Sequence, residues 1–357
     1  MPVQARGAAQ TGLRRNGIRP CGVLLLLAPL LATLCGCEDV QSTFNAQGPA
    51  ASRIATLSWA MTIVFLLVTL VMWILIAWVA VRRRGTLEEH APVDVGGGQG
   101  WIVLGGLLIP VVVLTGFFIM GLILLASFPI QNPENTTPLK PDLLIIGHQY
   151  WWELHYLDGP ADQHFTTANE IHIPANKPFT IELKSDDVIH AFWIPALHGK
   201  IDMIPGHPNY MRIEASHPGI YTGECAEYCG VQHAHMRLML IAQTPEEYQA
   251  WVQQQLKPAH EPTTPDQMAG EQVFLNSPCI MCHEVRGTLA GGRVAPDLTH
   301  LAGRQFIGAD SFPNNKAYLE AWVIHAQSLK PGCLMPNLTQ FSGEQLRQLV
   351  AYLQQLK

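Results

Sequence analysis

Charge is scarce in this chain. Of 357 residues only 14% are Asp, Glu, Lys or Arg, and no long run of Lys or Arg occurs. A nucleic-acid binder carries a basic patch or stripe, so that class is excluded for a chain whose net charge is −6. No internal repeat is found either. What stands in place of charge is apolar: hydrophobic residues make up 48% of the chain, and its mean hydropathy is positive, which is unusual for a wholly soluble protein of this size. The length allows two or three domains.

The apolar excess is concentrated. Arg14, Arg15 and Arg19 precede the run Val23 to Leu34, which has the length of a signal-peptide core and is too short to span a bilayer. The run ends in Leu-Cys-Gly-Cys, which resembles the lipobox of bacterial lipoproteins. Residues 1–36 are then the signal peptide and Cys37 the lipidated first residue; cleavage as an ordinary signal peptide is the alternative. Cys21 and Cys35 are lost in either case. Residues 37–53 form an extracytoplasmic N-terminal segment. Two longer runs, Ile54 to Val81 and Trp101 to Phe128, carry no charge and exceed the ~20 residues that cross a bilayer as a helix. They predict a transmembrane hairpin over 54–128. Arg82, Arg83 and Arg84 hold the connecting loop in the cytoplasm by the positive-inside bias. Everything after Pro129 is then extracytoplasmic, where free thiols need a reason to persist.

Residues 129–256 change character. Phe179, Ile181 and Leu183 alternate with Thr180, Glu182 and Lys184, and Met211 and Ile213 with Arg212 and Glu214, which is strand periodicity punctuated by Pro and Gly turns. A compact β-sandwich or barrel is expected. Thr244 as N-cap, Pro245 at the first helical position, and Glu246 and Glu247 in the first turn predict a closing helix. Residues 257–265, KPAHEPTTP, read as a stiff exposed linker. A second domain occupies 266–357 and closes on an amphipathic helix carrying Leu346, Leu349, Val350, Leu353 and Leu356.

Two short stretches carry chemistry. In ECAEYCGVQHAHM, Cys225 and Cys229 are followed by His233 and Met236. A disulfide would leave His233 and Met236 without a role, and zinc has little use for a thioether, whereas thiolate, imidazole and thioether together suit copper. A second imidazole has to come from elsewhere. His190 in SDDVIHAFWIP is the best candidate and His235 the local rival.

Two spans followed by GHQYWWELHY, DDVIHAFWIP, GKIDMIPG and ECAEYCGVQHAHM resemble subunit II of haem-copper cytochrome c oxidases, over residues 54 to about 250. The resemblance implies a cupredoxin-like domain holding a dinuclear mixed-valence copper centre, CuA. Cys225 and Cys229 would be its bridging thiolates, His190 and His233 its imidazoles and Met236 its thioether. Glu227 would offer its backbone carbonyl to copper and its carboxylate to Mg²⁺ at the contact with subunit I. Such a rigid, shared centre keeps its geometry on reduction and so transfers electrons fast. Tyr150 and Trp151 lie where the family passes electrons inward, but Tyr150 stands at a position commonly held by tryptophan. A second departure is the absence of a glutamate at the start of the second span, where only Gln99 and Gly100 are found, so the proton-input role does not carry over.

The second stretch, Cys279-Ile280-Met281-Cys282-His283, is the attachment signature of c-type haem: two thioethers and a histidine on iron. Met335, followed by Pro336, is the expected second axial ligand, since a Met/His pair raises the potential as an electron carrier needs. His300 and His325 are the rivals. The domain resembles class I cytochromes c, with Gly270 and Phe274 on its first helix, Tyr352 and Leu353 on its last, and Pro296 in the loop flanking the haem. Only Cys333 is left without a role; a small buried position beside Met335 is expected, with a reactive thiol as the alternative.

The expected architecture is therefore two transmembrane α-helices, an all-β cupredoxin-like sandwich and a C-terminal all-α cytochrome c domain. The resemblance implies an electron-input subunit lodged in a bacterial plasma membrane with both domains outside. Electrons would come from cytochrome c or a similar donor, and the partners would be subunit I, where O₂ is reduced with proton translocation, and subunit III. No helical histidine set that could hold the haems of subunit I is present here. A quinol oxidase subunit II lacks the copper ligands; a membrane-anchored module that delivers or stores copper has no need of covalent haem.

Overall fold

The computed structural model describes residues 41–82, 98–128 and 140–357. The signal peptide, Cys37, Arg83 and Arg84, and the connection over 129–139 lie outside them.

Two helices, Pro49–Val81 and Gln99–Ala126, are long and apolar enough to cross a membrane. Neither has a polar face, so each suits hydrocarbon on all sides rather than one face of a soluble core. The first begins at Pro49, ahead of the apolar run, because proline presets the first-turn φ and lacks only an amide that would be unpaired there. The second contains a π-helical turn, Leu104–Leu108, just before Pro110, whose missing N–H interrupts the regular ladder. The helices pack as a hairpin. Phe65 and Phe117 meet with ring centroids 6.1 Å apart, and the Arg53 guanidinium donates to the Ser127 carbonyl at 3.3 Å.

The hairpin leads into a sandwich of two five-stranded sheets. One has the order β3-β2-β1-β5-β8, built from Phe165–Ala168, Trp151–Tyr156, Leu143–His148, Phe179–Ser185 and Asn209–Ile213. The other has the order β4-β10-β9-β6-β7, built from Glu170–Pro174, Arg237–Gln243, Gly219–Cys225, His190–Trp193 and Ile201–Met203. Strand β1 runs parallel to β5, and β10 parallel to β4, so both sheets are mixed. The inward-facing apolar side chains Leu143, Ile145, Trp152, Leu154, Phe179 and Ile181 are fully buried and form one core. Thr180 and Glu182 are nearly buried as well, a departure from simple alternation: β5 is an interior strand flanked by β1 and β8. The Pro245–Gln255 helix closes the domain with a capping box. The Glu247 amide donates to Thr244 Oγ1 at 3.3 Å and the Thr244 amide to the Glu247 carboxylate at 3.0 Å.

The C-terminal domain is helical: Pro265–Leu275, Cys279–Cys282, Lys316–Leu329 and Gly343–Leu353 surround a separate core. Its first and last helices cross at Gly270. A Cβ there would stand 2.6 Å from the carbonyl carbon of Gln348, so only glycine permits the approach. Phe274 and Tyr352 pack beside the crossing with ring centroids 5.7 Å apart. The segment joining the two domains lies on the helical one: Ala259 N–H donates to the Arg286 carbonyl at 2.9 Å, and the Arg286 guanidinium to Gln255 O at 2.5 Å.

Candidate functional site

The first cluster is assembled by two adjacent strands. His190 opens β6 and Cys225 ends β9, and their pairing sets Phe192 opposite Cys225. His190 fits against β1 because residue 147 is glycine; a Cβ there would lie 2.9 Å from the imidazole. The loop after Cys225 brings Cys229 back, turns through the 3₁₀ segment His233–His235, and returns to β10 at Met236.

The donor atoms converge. Cys225 Sγ is 3.8 Å from Cys229 Sγ and 3.8 Å from His190 Nδ1, while Cys229 Sγ is 3.7 Å from His233 Nδ1 and 3.8 Å from Met236 Sδ. The Glu227 carbonyl oxygen lies 3.2 Å from Cys225 Sγ. The two sulfurs are too far apart for a disulfide. Two sulfurs at ~2.3 Å from one tetrahedral metal stand roughly 3.8 Å apart, so this spacing suits thiolates that share a metal. His190 Nε2 meets Asp187 Oδ1 at 2.7 Å, leaving Nδ1 as the nitrogen turned to the sulfurs. Burial pushes the Asp187 carboxyl up, but the His190 hydrogen bond and the amides of Val188 and Gln149 outweigh it and hold the group below its usual range. The Cys225 thiol is likewise held far below its usual value, by the hydrogen bond from Cys229 first and by His190 among the others. The donor set of two thiols, two imidazoles, a thioether and a carbonyl fits copper.

His235 is not part of this cluster: it is exposed, and its Nδ1 meets Gln232 Oε1 at 2.8 Å. The Glu227 carboxylate is half-exposed and pairs with Lys200 Nζ at 3.5 Å.

The second cluster is an apolar cavity at the junction of the two domains, lined by Cys279, Cys282, His283 and Met335. His283 Nδ1 meets the Pro296 carbonyl at 2.7 Å, which fixes the tautomer and leaves Nε2 for a ligand. Burial pushes the His283 imidazole pKa down, favouring the neutral form that binds metal. Arg304 also lines the cavity, and its buried Nε has no partner, so a group bearing a carboxylate would satisfy it. Two thiols, an imidazole, a thioether and an unmet cationic donor fit haem c. The rivals do not reach the site: His300 donates toward the Lys257 carbonyl at 3.1 Å, and His325 is exposed at a break in its helix. Cys333 is half-buried rather than buried. It lines the same cavity, and Gln327 Nε2 lies 3.3 Å from its sulfur.

Tyr150 links the two clusters, with Trp151 beside it on the cavity wall. Both line the haem cavity from the sandwich side. The Tyr150 hydroxyl accepts the Val231 amide at 3.1 Å, and neighbouring Gln149 Nε2 donates to the Cys229 carbonyl at 2.5 Å. Sequence reasoning missed Asp187, Arg304 and Gln149. Only Asp187 left a trace, as the acid three residues before His190 in the quoted motif.

Fold and clusters together define a class: a membrane-anchored electron-transfer protein with a cupredoxin-like domain joined to a cytochrome c domain. Residues 157–243 match the family described as cytochrome c oxidase subunit II, periplasmic domain, and residues 267–357 match cytochrome c. Cytochrome c oxidase subunit 2 of Alkalihalophilus pseudofirmus is 36% identical over 93% of this chain and 96% of its own. That of Bacillus subtilis is 27% identical over 94% and 97%. The solved periplasmic domain of subunit II of cytochrome oxidase from Bradyrhizobium japonicum is 32% identical over 33% of this chain and 96% of its own, with a TM-score of 0.30. The chain belongs to the cytochrome c oxidase subunit 2 family.

Proposed function

We propose that the chain takes electrons from cytochrome c or a similar donor at its haem domain, hands them to its copper domain, and delivers them to subunit I. It is a subunit of a haem-copper cytochrome c oxidase, and its own work is electron transfer; reduction of O₂ to water with proton translocation belongs to subunit I. The observation that carries the reading is the convergence of His190, Cys225, Cys229, His233 and Met236, with the Glu227 carbonyl, beside a haem cavity that shares Tyr150 and Trp151 with the copper domain.

When bound, the copper pair and the haem supply one-electron redox chemistry. The protein's part is to hold and insulate them. Strands β6 and β9 fix two copper ligands on a buried sheet, and Asp187 orients His190, so little can move when charge changes. Cys279 and Cys282 would attach the haem covalently and His283 and Met335 would hold its iron; the apolar lining keeps water away. Tyr150 bridges to the copper loop through Val231. The Glu227 carboxylate would hold Mg²⁺ at the subunit I contact once Lys200 releases it.

The same reading places residues 54–128 in a bacterial plasma membrane as a two-pass anchor beside subunit I and subunit III. Residues 129–256 and 266–357 stand on the periplasmic side, joined by 257–265, and Cys37 is lipidated after removal of 1–36. Purifying the complex and recording its optical spectrum tests this: c-type haem bands together with the near-infrared absorption of a mixed-valence copper pair are expected, with rapid oxidation of reduced cytochrome c under oxygen. Absence of the copper band from an intact complex overturns the reading.

A further inference from the structure

The seam between the two extracytoplasmic domains buries a cation, Lys330, at the edge of the haem cavity, with its ammonium bonded to backbone carbonyls. Lys330 follows the Lys316–Leu329 helix and is 2% exposed. Its ammonium donates to three carbonyls: Gly308 of its own domain at 2.7 Å, and His235 and Tyr150 of the copper domain at 2.8 and 3.0 Å. Three N–H bonds meet three acceptors, so the group is saturated. Among the described residues it forms no ion pair. A buried ammonium is costly to desolvate and persists only where such bonds hold it, which is more than simple adhesion between two surfaces calls for.

The two acceptors across the seam are specific places. Tyr150 lines the haem cavity and holds the Val231 amide, and His235 sits between His233 and Met236 on the copper loop. One side chain of the cytochrome domain thus grips both the aromatic bridge and the loop that carries Cys229, His233 and Met236. Around it, Ser311 Oγ donates to the same His235 carbonyl at 3.1 Å, the Arg237 amide to Ala309 O at 3.2 Å, and the Gln305 amide to Glu170 Oε2 at 3.0 Å. Burial pushes the Lys330 pKa down to about 7, but a neutral amine offers only two N–H bonds to three carbonyls; the ammonium is the form that fits.

We propose that Lys330 is a positioning residue that clasps the haem domain onto the copper loop in the pose from which electrons cross. The inference rests on the copper and haem assignments above. In the purified oxidase complex, a photochemical pulse reduces the haem, and its reoxidation is followed together with the near-infrared copper band. Lys330→Met keeps the length and removes the charge. It is expected to slow haem-to-copper transfer by roughly tenfold or more, as the docked state loses its dominance, while the haem spectrum, the copper band and turnover with electrons fed directly to copper remain as in the wild type. Equal transfer rates in K330M and wild type overturn the role of Lys330. No transfer in the wild type itself overturns the underlying assignments instead. Should K330M lose haem or copper, native-state hydrogen exchange of the wild-type complex decides: slow exchange at the Arg237 and Gln305 amides is expected, and exchange as fast as at exposed amides overturns the clasp.

Discussion

The copper cluster and the haem cavity sit side by side but are built by opposite means. The proposed copper ligands hang on paired strands and one tight loop, and the donor atoms of His190, Cys225 and Cys229 already lie within 4.8 Å of one another. The proposed haem ligands come from a short helix and from the segment after Lys330, and they line a cavity rather than touch. Sheet hydrogen bonding makes the first site a preorganised cradle, whereas the second depends on its cofactor as part of the core.

That contrast can be broken by experiment, and the largest effect is expected at the haem. An apolar space of ≈ 290 Å³ between the helices deprives the side chains around it of packing partners when left unfilled, a serious loss for a domain of ordinary marginal stability. Preventing attachment with Cys279→Ala and Cys282→Ala should therefore unfold residues 266–357, read by protease sensitivity and hydrogen exchange, while copper removal leaves the sandwich folded. Equal damage from both treatments would erase the distinction. Next in size, Cys225→Ser should abolish the near-infrared copper absorption and lower cytochrome c oxidation by on the order of a hundredfold or more, with the haem spectrum intact.

Asp187→Asn probes how the copper side is held. Because Asp187 orients His190, its loss should weaken copper binding by roughly 10- to 100-fold without unfolding the sheet, measured by competition with a chelator. The smallest effect concerns the rim of the same domain. Glu153 meets His148 at 2.8 Å and His155 at 2.9 Å; burial pushes its carboxyl up, but these two histidines outweigh it and bring the pKa to about 2. A carboxyl lowered on folding stabilises above its unfolded value near 4.5 and loses that contribution as pH falls toward 2. Glu153→Gln should flatten the acid limb of a denaturation curve between those values; an unchanged limb contradicts it.

How much of this was legible in the sequence follows the same division. The spans, the closing helix with its Thr244 cap, the Cys225 to Met236 loop and the Cys279 to His283 signature are local, and local patterns announce themselves. The resemblance supplied the cupredoxin-like form of the sandwich. Asp187 was hidden because an acid three residues from a histidine is common, and its role appears only when β6 turns the imidazole toward Cys225. Lys330 and Arg304 were not legible at all: their partners Tyr150 and Thr167 lie 180 and 137 residues away, and a lone basic residue after a helix looks like any solvated surface group. The near burial of Glu182 was missed for a related reason, since alternation within one strand does not reveal whether the strand is interior to its sheet.

Electrons crossing from the haem domain to the copper domain of this one chain are what the proposed function requires. Pulsed reduction of haem c in the purified complex, without oxygen or external cytochrome, tests it directly. Reoxidation of the haem is expected to coincide with loss of the near-infrared copper band, in a phase whose rate does not depend on protein concentration. A reduced haem that persists while the copper band stays unchanged would contradict it.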